Sequence, residues 1–162
     1  MPATPKGVAG AVITGWGTAL PPKVLTNDDL AGTMDTTDEW IRERTGIRER
    51  RVGGTTAGLS VESGEKAMAH AGVTADDIAL VVPHQANIRI IEAACQRLGI
   101  PMERATTVLH YTGNTSSASI PLALVDALDD GRANKGDLLL LVGFGAGMTA
   151  ASAVLRWGGV PA

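Results

Sequence analysis

Aromatic residues are scarce in this 162-residue chain: one Phe, one Tyr and three Trp. Its interior must therefore be aliphatic and alanine-rich, packed by small side chains more than by stacked rings. A single cysteine, Cys95, excludes an intrachain disulfide. No group of His, Cys, Asp and Glu has the spacing of a metal site, so no metal is expected. The apolar runs are far shorter than the roughly 20 residues that span a bilayer, and no charged-then-apolar leader opens the chain. The expectation is no membrane partner and a cytoplasmic location. Positive charge is not in excess either, and a net charge of −3 argues against a nucleic-acid partner.

Glycine, by contrast, is abundant, with 20 residues against an average near 7%. Length suits one domain, and the pattern alternates strands with helices. GVAGAVITGWGTALP reads as a strand over residues 7–15, closed by Gly15, Gly17 and the Pro21-Pro22 turn. TNDDLAGTM carries a short helix capped by Thr26 or Asn27. DTTDEWIRERTGI carries another, capped near Thr36 or Thr37 and stopped by Gly46. Residues 57–71 repeat apolar positions at three- and four-residue steps, with Gly72 as the terminal cap. A strand over 78–82, a helix over 87–98, a strand over 105–112 and a helix over 116–131 follow. GDLLLLVGFGAG and MTAASAVLRW are two final strands joined by a few glycine-rich residues, hence antiparallel, a hairpin at one side of the sheet. These elements amount to one α/β domain with a mixed five-stranded sheet.

Chemistry concentrates at two strand ends. His84 follows an apolar run and Pro83; Asn87 stands three residues on, at a helix start. Asn114 lies in GNTSSAS, again between a strand and a helix. A satisfied core histidine with two helix-capping asparagines is one reading. The other is an imidazole and a carboxamide side by side, donating two hydrogen bonds to one developing oxyanion. Five arginines fall in residues 42–51: Arg42, Arg44, Arg48, Arg50 and Arg51. They read either as a solvated face paired with Glu39, Glu43 and Glu49 or as a site for phosphates or an acidic partner. GFGAG (143–147) lacks the following helix and acidic residue of a dinucleotide fingerprint and fits a hairpin turn better. His70 and His110 read as structural. Cys95 lies on the apolar face of its helix, eight residues (about 12 Å) past Asn87, and reads as inert.

With these residues in view, TNDDLAGTMDTTDEWIRERTGIRERR and VVPHQANIRII…GNTSSASIPLAL…GFGAGMT together resemble β-ketoacyl-acyl-carrier-protein synthase III, the initiating condensing enzymes of type II fatty acid synthesis. The resemblance implies a thiolase-like fold of two similar α/β halves. It implies an acyl group passed from coenzyme A to a cysteine, then joined to decarboxylated malonyl-carrier protein. Acyl-coenzyme A and malonyl-acyl-carrier protein are the implied partners, the coenzyme thioester being substrate and not cofactor. By resemblance His84 and Asn114 match the catalytic His and Asn. Trp40 matches the residue stacked on the adenine of coenzyme A, and Thr36, Arg44 and Asn87 match nearby coenzyme-binding positions. Arg89 matches a carrier-protein docking position. Phe144, Gly145, Ala146 and Gly147 match the loop lining the acyl channel and helping the oxyanion site.

The departure from the family is equally plain. Its members are about twice this length, and their cysteine stands in an Ala-Cys-Ala-Gly type motif that this chain lacks. The sequence runs from GVTADDI straight into ALVVPHQAN, as if two similar points in the duplicated halves had been joined. Residues 1–78 resemble the family's N-terminal region and 79–162 its C-terminal region. The sum is one three-layer α/β/α, thiolase-like half spanning residues 1–162. A lone half exposes an apolar helical face, so a homodimer or poor solubility is expected. The functional expectation is a synthase III homologue unable to condense. The alternatives are a non-catalytic remnant that binds coenzyme A or carrier protein, and an enzyme that only decarboxylates the malonyl group.

Overall fold

The structure, a computed structural model, describes residues 10–159. Strand β1 (Ala11–Ala19) leads through β2 (Lys23–Thr26) into the short helices α1 (Asn27–Ala31) and α2 (Asp38–Thr45). Then come β3 (Glu49–Val52), α3 (Thr56–Ala71), β4 (Ile78–Pro83) and α4 (Ile88–Leu98). A single turn α5 (Leu109–Thr112), α6 (Ser119–Asp129), β5 (Leu138–Gly145) and β6 (Thr149–Trp157) complete the chain.

Four strands form the main sheet in the order β1-β6-β5-β4, with β4 parallel to β5 and the other pairs antiparallel. The parallel pair requires a crossover, which α4, α5 and α6 supply. Alternation along the strands gives each face its own core. Val81, Leu138, Leu140, Val142 and Val154 pack against α3 and α4, whose contributions include Ala67, Met68, Ile91, Cys95 and Leu98. Leu80, Val82, Leu139 and Leu155 pack against Ala123 and Ala127 of α6. Helices thus cover both faces, and the α/β/α layering expected from the sequence is present.

Several boundaries differ from the expectation. Gly15 and Gly17 do not close β1; they lie inside it, and the strand runs to Ala19. An added Cβ would fall 2.3 Å from the Ala67 carbonyl oxygen at Gly15, and 2.3 Å from that of Ser63 at Gly17. These glycines let α3 sit directly on the strand. Residues 7–9 of the expected strand lie outside the described residues. The final hairpin is central in the sheet, not at one side, because β1 pairs with the outer edge of β6.

The expected strand over 105–112 is absent, so the main sheet has four strands, not five. Only Ala105 bridges to Val81, and the Thr106 N–H donates to the Val81 carbonyl at 2.9 Å. Beyond that point the Gln85 side chain takes the place of a partner strand. Its amide nitrogen donates to the carbonyls of Pro83 and Thr106 at 2.8 and 3.1 Å, and its oxygen accepts from the Val108 N–H at 2.9 Å. Gln85 is fully buried with all these bonds made. The β-branched run ATTV has strand propensity, but this amide captures its backbone first. A two-stranded sheet of β2 and β3 was not anticipated; its segments, KVLT and ERRV, are short and charged.

Capping follows the residue types. Thr26, Thr37 and Thr55 accept from the backbone of α1, α2 and α3, and Gly46, Gly72 and Gly99 end α2, α3 and α4 in the left-handed conformation. No helix among the described residues is long and apolar enough to cross a membrane.

Candidate active site

β4 delivers His84 to the end of the sheet. The His84 N–H donates to the Val142 carbonyl at 2.8 Å, which continues the pairing of β4 with β5 by one residue and fixes where the imidazole leaves the strand. The ring packs edge-on against Phe144, centroids 4.8 Å apart. Its Nδ1 lies 2.5 Å from Ser119 Oγ, which also accepts from the Gln85 N–H at 3.3 Å. Partial burial holds the imidazole below its ordinary pKa of 6.5, so the neutral ring is favoured.

Asn114 approaches from the loop before α6. Its carboxamide oxygen accepts from the Ser116 N–H at 3.0 Å, closing a small turn that holds Ser116 at φ +53°. His84, Asn114, Ser116, Ser117, Ile120, Phe144 and Gly145 at the end of β5 and the turn residue Ala146 line one open cavity of about 530 Å³. The imidazole and the carboxamide thus border the same cavity. Asn114 is also the turn former that the plainer reading allowed.

Gly147 faces the neighbouring cavity with Arg50 and Arg51, and Ala146 borders both. The Arg51 N–H donates to the Gly147 carbonyl at 3.1 Å, so β3 steadies the turn that follows Phe144 and β5. Buried Asn27 organises this side. Its amide nitrogen donates to Asp38 at 2.8 Å and to the Ile47 carbonyl at 2.9 Å, and its oxygen accepts from Arg50.

The other candidates lie outside the His84 cavity. Trp40 and Arg44 share the exposed side of α2, with the guanidinium 4.5 Å above the indole ring. Thr36 precedes that helix, and its buried hydroxyl has no partner among the described residues. Asn87 caps α4, accepting from the Arg89 N–H at 2.9 Å, and Arg89 is exposed on the first turn. The arginine cluster divides: Arg42 pairs with Asp38 and Arg51 with Glu49, both at 3.2 Å. Arg48 shares a cavity with Glu39, Arg42 and Glu43. His110 is on the α5 turn, not in a strand, and His70 packs its ring 4.0 Å from that of Trp16.

Cys95 is buried in the core between α4 and the sheet, and desolvation raises its thiol pKa above 9.0. Phe144 borders its small apolar pocket as well as the His84 cavity. The side chains in the His84 cavity that could act as nucleophiles are hydroxyls, Ser116 and Ser117.

Two residues of this site escaped the sequence reading, Ser119 and Gln85. For Ser119 a signal existed. It shares four-residue spacing with Ala123 and Ala127 on the buried face of α6, which made it a polar residue facing the core.

Residues 68–157 match the family model described as the C-terminal part of 3-oxoacyl-[acyl-carrier-protein (ACP)] synthase III. The chain belongs to that family. Its relatives are condensing enzymes of fatty acid biosynthesis. The β-ketoacyl-[acyl-carrier-protein] synthase III 2 of Deinococcus radiodurans is 59% identical over 96 residues, which are 59% of this chain and 28% of the relative. A synthase III from a Roseiflexus species is 61% identical over 87 residues, 54% of this chain and 26% of the relative. The chain thus spans less than a third of the length of these synthase III relatives. Among solved structures, the Thermus thermophilus synthase III aligns with a TM-score of 0.55 at 25% identity, across 91% of this chain and 99% of that one. The Aquifex aeolicus synthase III gives 0.56 at 21% identity, across 91% and 100%, a likeness that speaks for the thiolase-like fold alone.

Proposed function

We propose that this chain is a synthase III homologue that retains oxyanion-stabilising groups, His84 and Asn114, and lacks the thiolate that would carry an acyl group. It does not condense an acyl-coenzyme A with malonyl-carrier protein. The observation that carries this reading is the content of one cavity: imidazole and carboxamide line it together, while Cys95 is buried in another part of the core. Condensation through an acyl-enzyme needs an activated nucleophile. Decarboxylation of a malonyl thioester needs only donors for the enolate oxygen. The malonyl carboxylate leaves as carbon dioxide, its bonding electrons form the enolate, and a solvent proton then gives the acetyl thioester. Carbon dioxide release from malonyl-carrier protein, lost in His84→Ala and retained in Cys95→Ala, is the expected result. Release unaffected by His84→Ala overturns the role of that residue.

A second reading, a coenzyme-binding remnant, draws support from α2. Trp40 is half-exposed and stacked on one side by Arg44, which suits a purine-and-phosphate ligand. Coenzyme A should then change tryptophan fluorescence in the unmutated chain and not in Trp40→Phe. No change at millimolar ligand removes that reading. Arg89, exposed on the first turn of α4, suits contact with an acidic carrier protein.

The domain reading, one unit joining the family's first and last regions, draws support from the Thermus alignment, which reaches across nearly all of both chains. Self-association draws support from α6, where Leu122 and Val125 stay exposed at 43% and 54%. A sedimentation profile of clean monomer would count against the homodimer.

A further inference from the structure

We infer that Ser119 fixes the tautomer of His84, so that the imidazole keeps its proton on Nε2; Ser119 is a positioning residue for that ring. Ser119 opens α6 and has no exposed surface. Its hydroxyl has one hydrogen to give. The Gln85 N–H lies 3.3 Å away and can only donate, so it occupies a lone pair of Oγ. The remaining contact is Nδ1 of His84 at 2.5 Å. No other acceptor bonds to Ser119 Oγ among the described residues. A buried hydroxyl hydrogen left without an acceptor is costly, so it points at Nδ1. Nδ1 must then carry a lone pair, and in the neutral ring the proton sits on Nε2. Protonating Nδ1 would set a donor against the hydroxyl hydrogen. Partial burial of the ring disfavours only the doubly protonated imidazolium and leaves the choice of tautomer to Ser119.

Asn114 is arranged alike. Its carboxamide oxygen is taken by the Ser116 N–H at 3.0 Å, which leaves its NH₂ end as the free one. Each side chain has its acceptor atom engaged by the protein, so the cavity is left with donors. This consequence rests on reading the pair as oxyanion donors; the tautomer itself does not. An Nδ1–H ring would turn a lone pair toward a developing oxyanion and repel it.

Nitrogen-15 spectra of histidine-labelled, unmutated protein above neutral pH test the inference, with His84→Gln assigning the signals. The expected result is a protonated Nε2 and an unprotonated Nδ1 in His84. In Ser119→Ala the ratio of the two tautomers should move toward unity by about tenfold, the worth of one hydrogen bond. Ser119→Thr, which keeps the hydroxyl, should restore it. A protonated Nδ1 in the unmutated chain, or an unchanged ratio in a folded Ser119→Ala, overturns the inference. If Ser119→Ala does not fold, the unmutated spectrum decides. Absent carbon dioxide release alongside a confirmed Nε2–H would overturn the proposed activity and leave the role of Ser119 standing.

Discussion

Replacing Gln85 with methionine keeps the length of a fully buried side chain and removes its amide. Three backbone groups lose their bonds: the Pro83 and Thr106 carbonyls at 2.8 and 3.1 Å and the Val108 N–H at 2.9 Å. Each buried group left unpaired costs about 1–3 kcal/mol, and the apolar replacement recovers part of that. The net loss should be about 2–5 kcal/mol, a large share of the roughly 5–15 kcal/mol that holds a domain folded. Urea unfolding followed by circular dichroism reads it as a shift in midpoint. Thr106→Val is the control. The Thr106 hydroxyl is buried and already unpartnered, so its removal should be neutral or stabilising. A loss below about 1 kcal/mol for Gln85→Met, or an equal loss for Thr106→Val, would refute the claim that the Gln85 amide stands in for a strand partner.

Gly17→Ala should destabilise the fold by about 3 kcal/mol or more, since its Cβ would sit 2.3 Å from the Ser63 carbonyl in the α3 backbone and neither element can yield cheaply; thermal unfolding checks it. Cys95 should resist alkylation in the folded protein near neutral pH and react on unfolding in urea, because burial raises its pKa and blocks access. His84 gives stability a pH dependence of definite sign. Its folded pKa is depressed, so its contribution is complete above about 6.5 and is lost as pH falls through the folded value, where the unfolded chain binds the extra proton. A further loss should follow below about 3.8, where Asp29 and Asp77, whose backbone hydrogen bonds lower their pKa values, protonate. Urea titrations across pH should show the first step vanish in His84→Gln and the second persist.

Much of this architecture was legible because local chemistry and global fold agree. The α3 repeat, its Gly72 cap and the paired apolar strands at the C-terminus specify their elements with little help from distant residues. Legibility failed where a distant partner decides. ATTVLHYT has strand propensity, and a glutamine twenty residues earlier overrides it. Gly15 and Gly17 read as turn residues because their purpose, close approach of α3, exists only in three dimensions. At the site, His84 was legible from its strand-end position, whereas Asn114 was singled out by the family motif and by a preceding strand that the structure replaces with the α5 turn. Ser119 sits in a serine-rich run, and only its four-residue spacing to Ala123 and Ala127 sets it apart from Ser116 and Ser117.

The most direct test of the central claim is intact-mass and product analysis after mixing the protein with acetyl-coenzyme A and malonyl-carrier protein. The account predicts no covalent acetyl adduct, no four-carbon condensation product, and carbon dioxide release that depends on His84. An acetylated Cys95, with condensation abolished by Cys95→Ala, would contradict it.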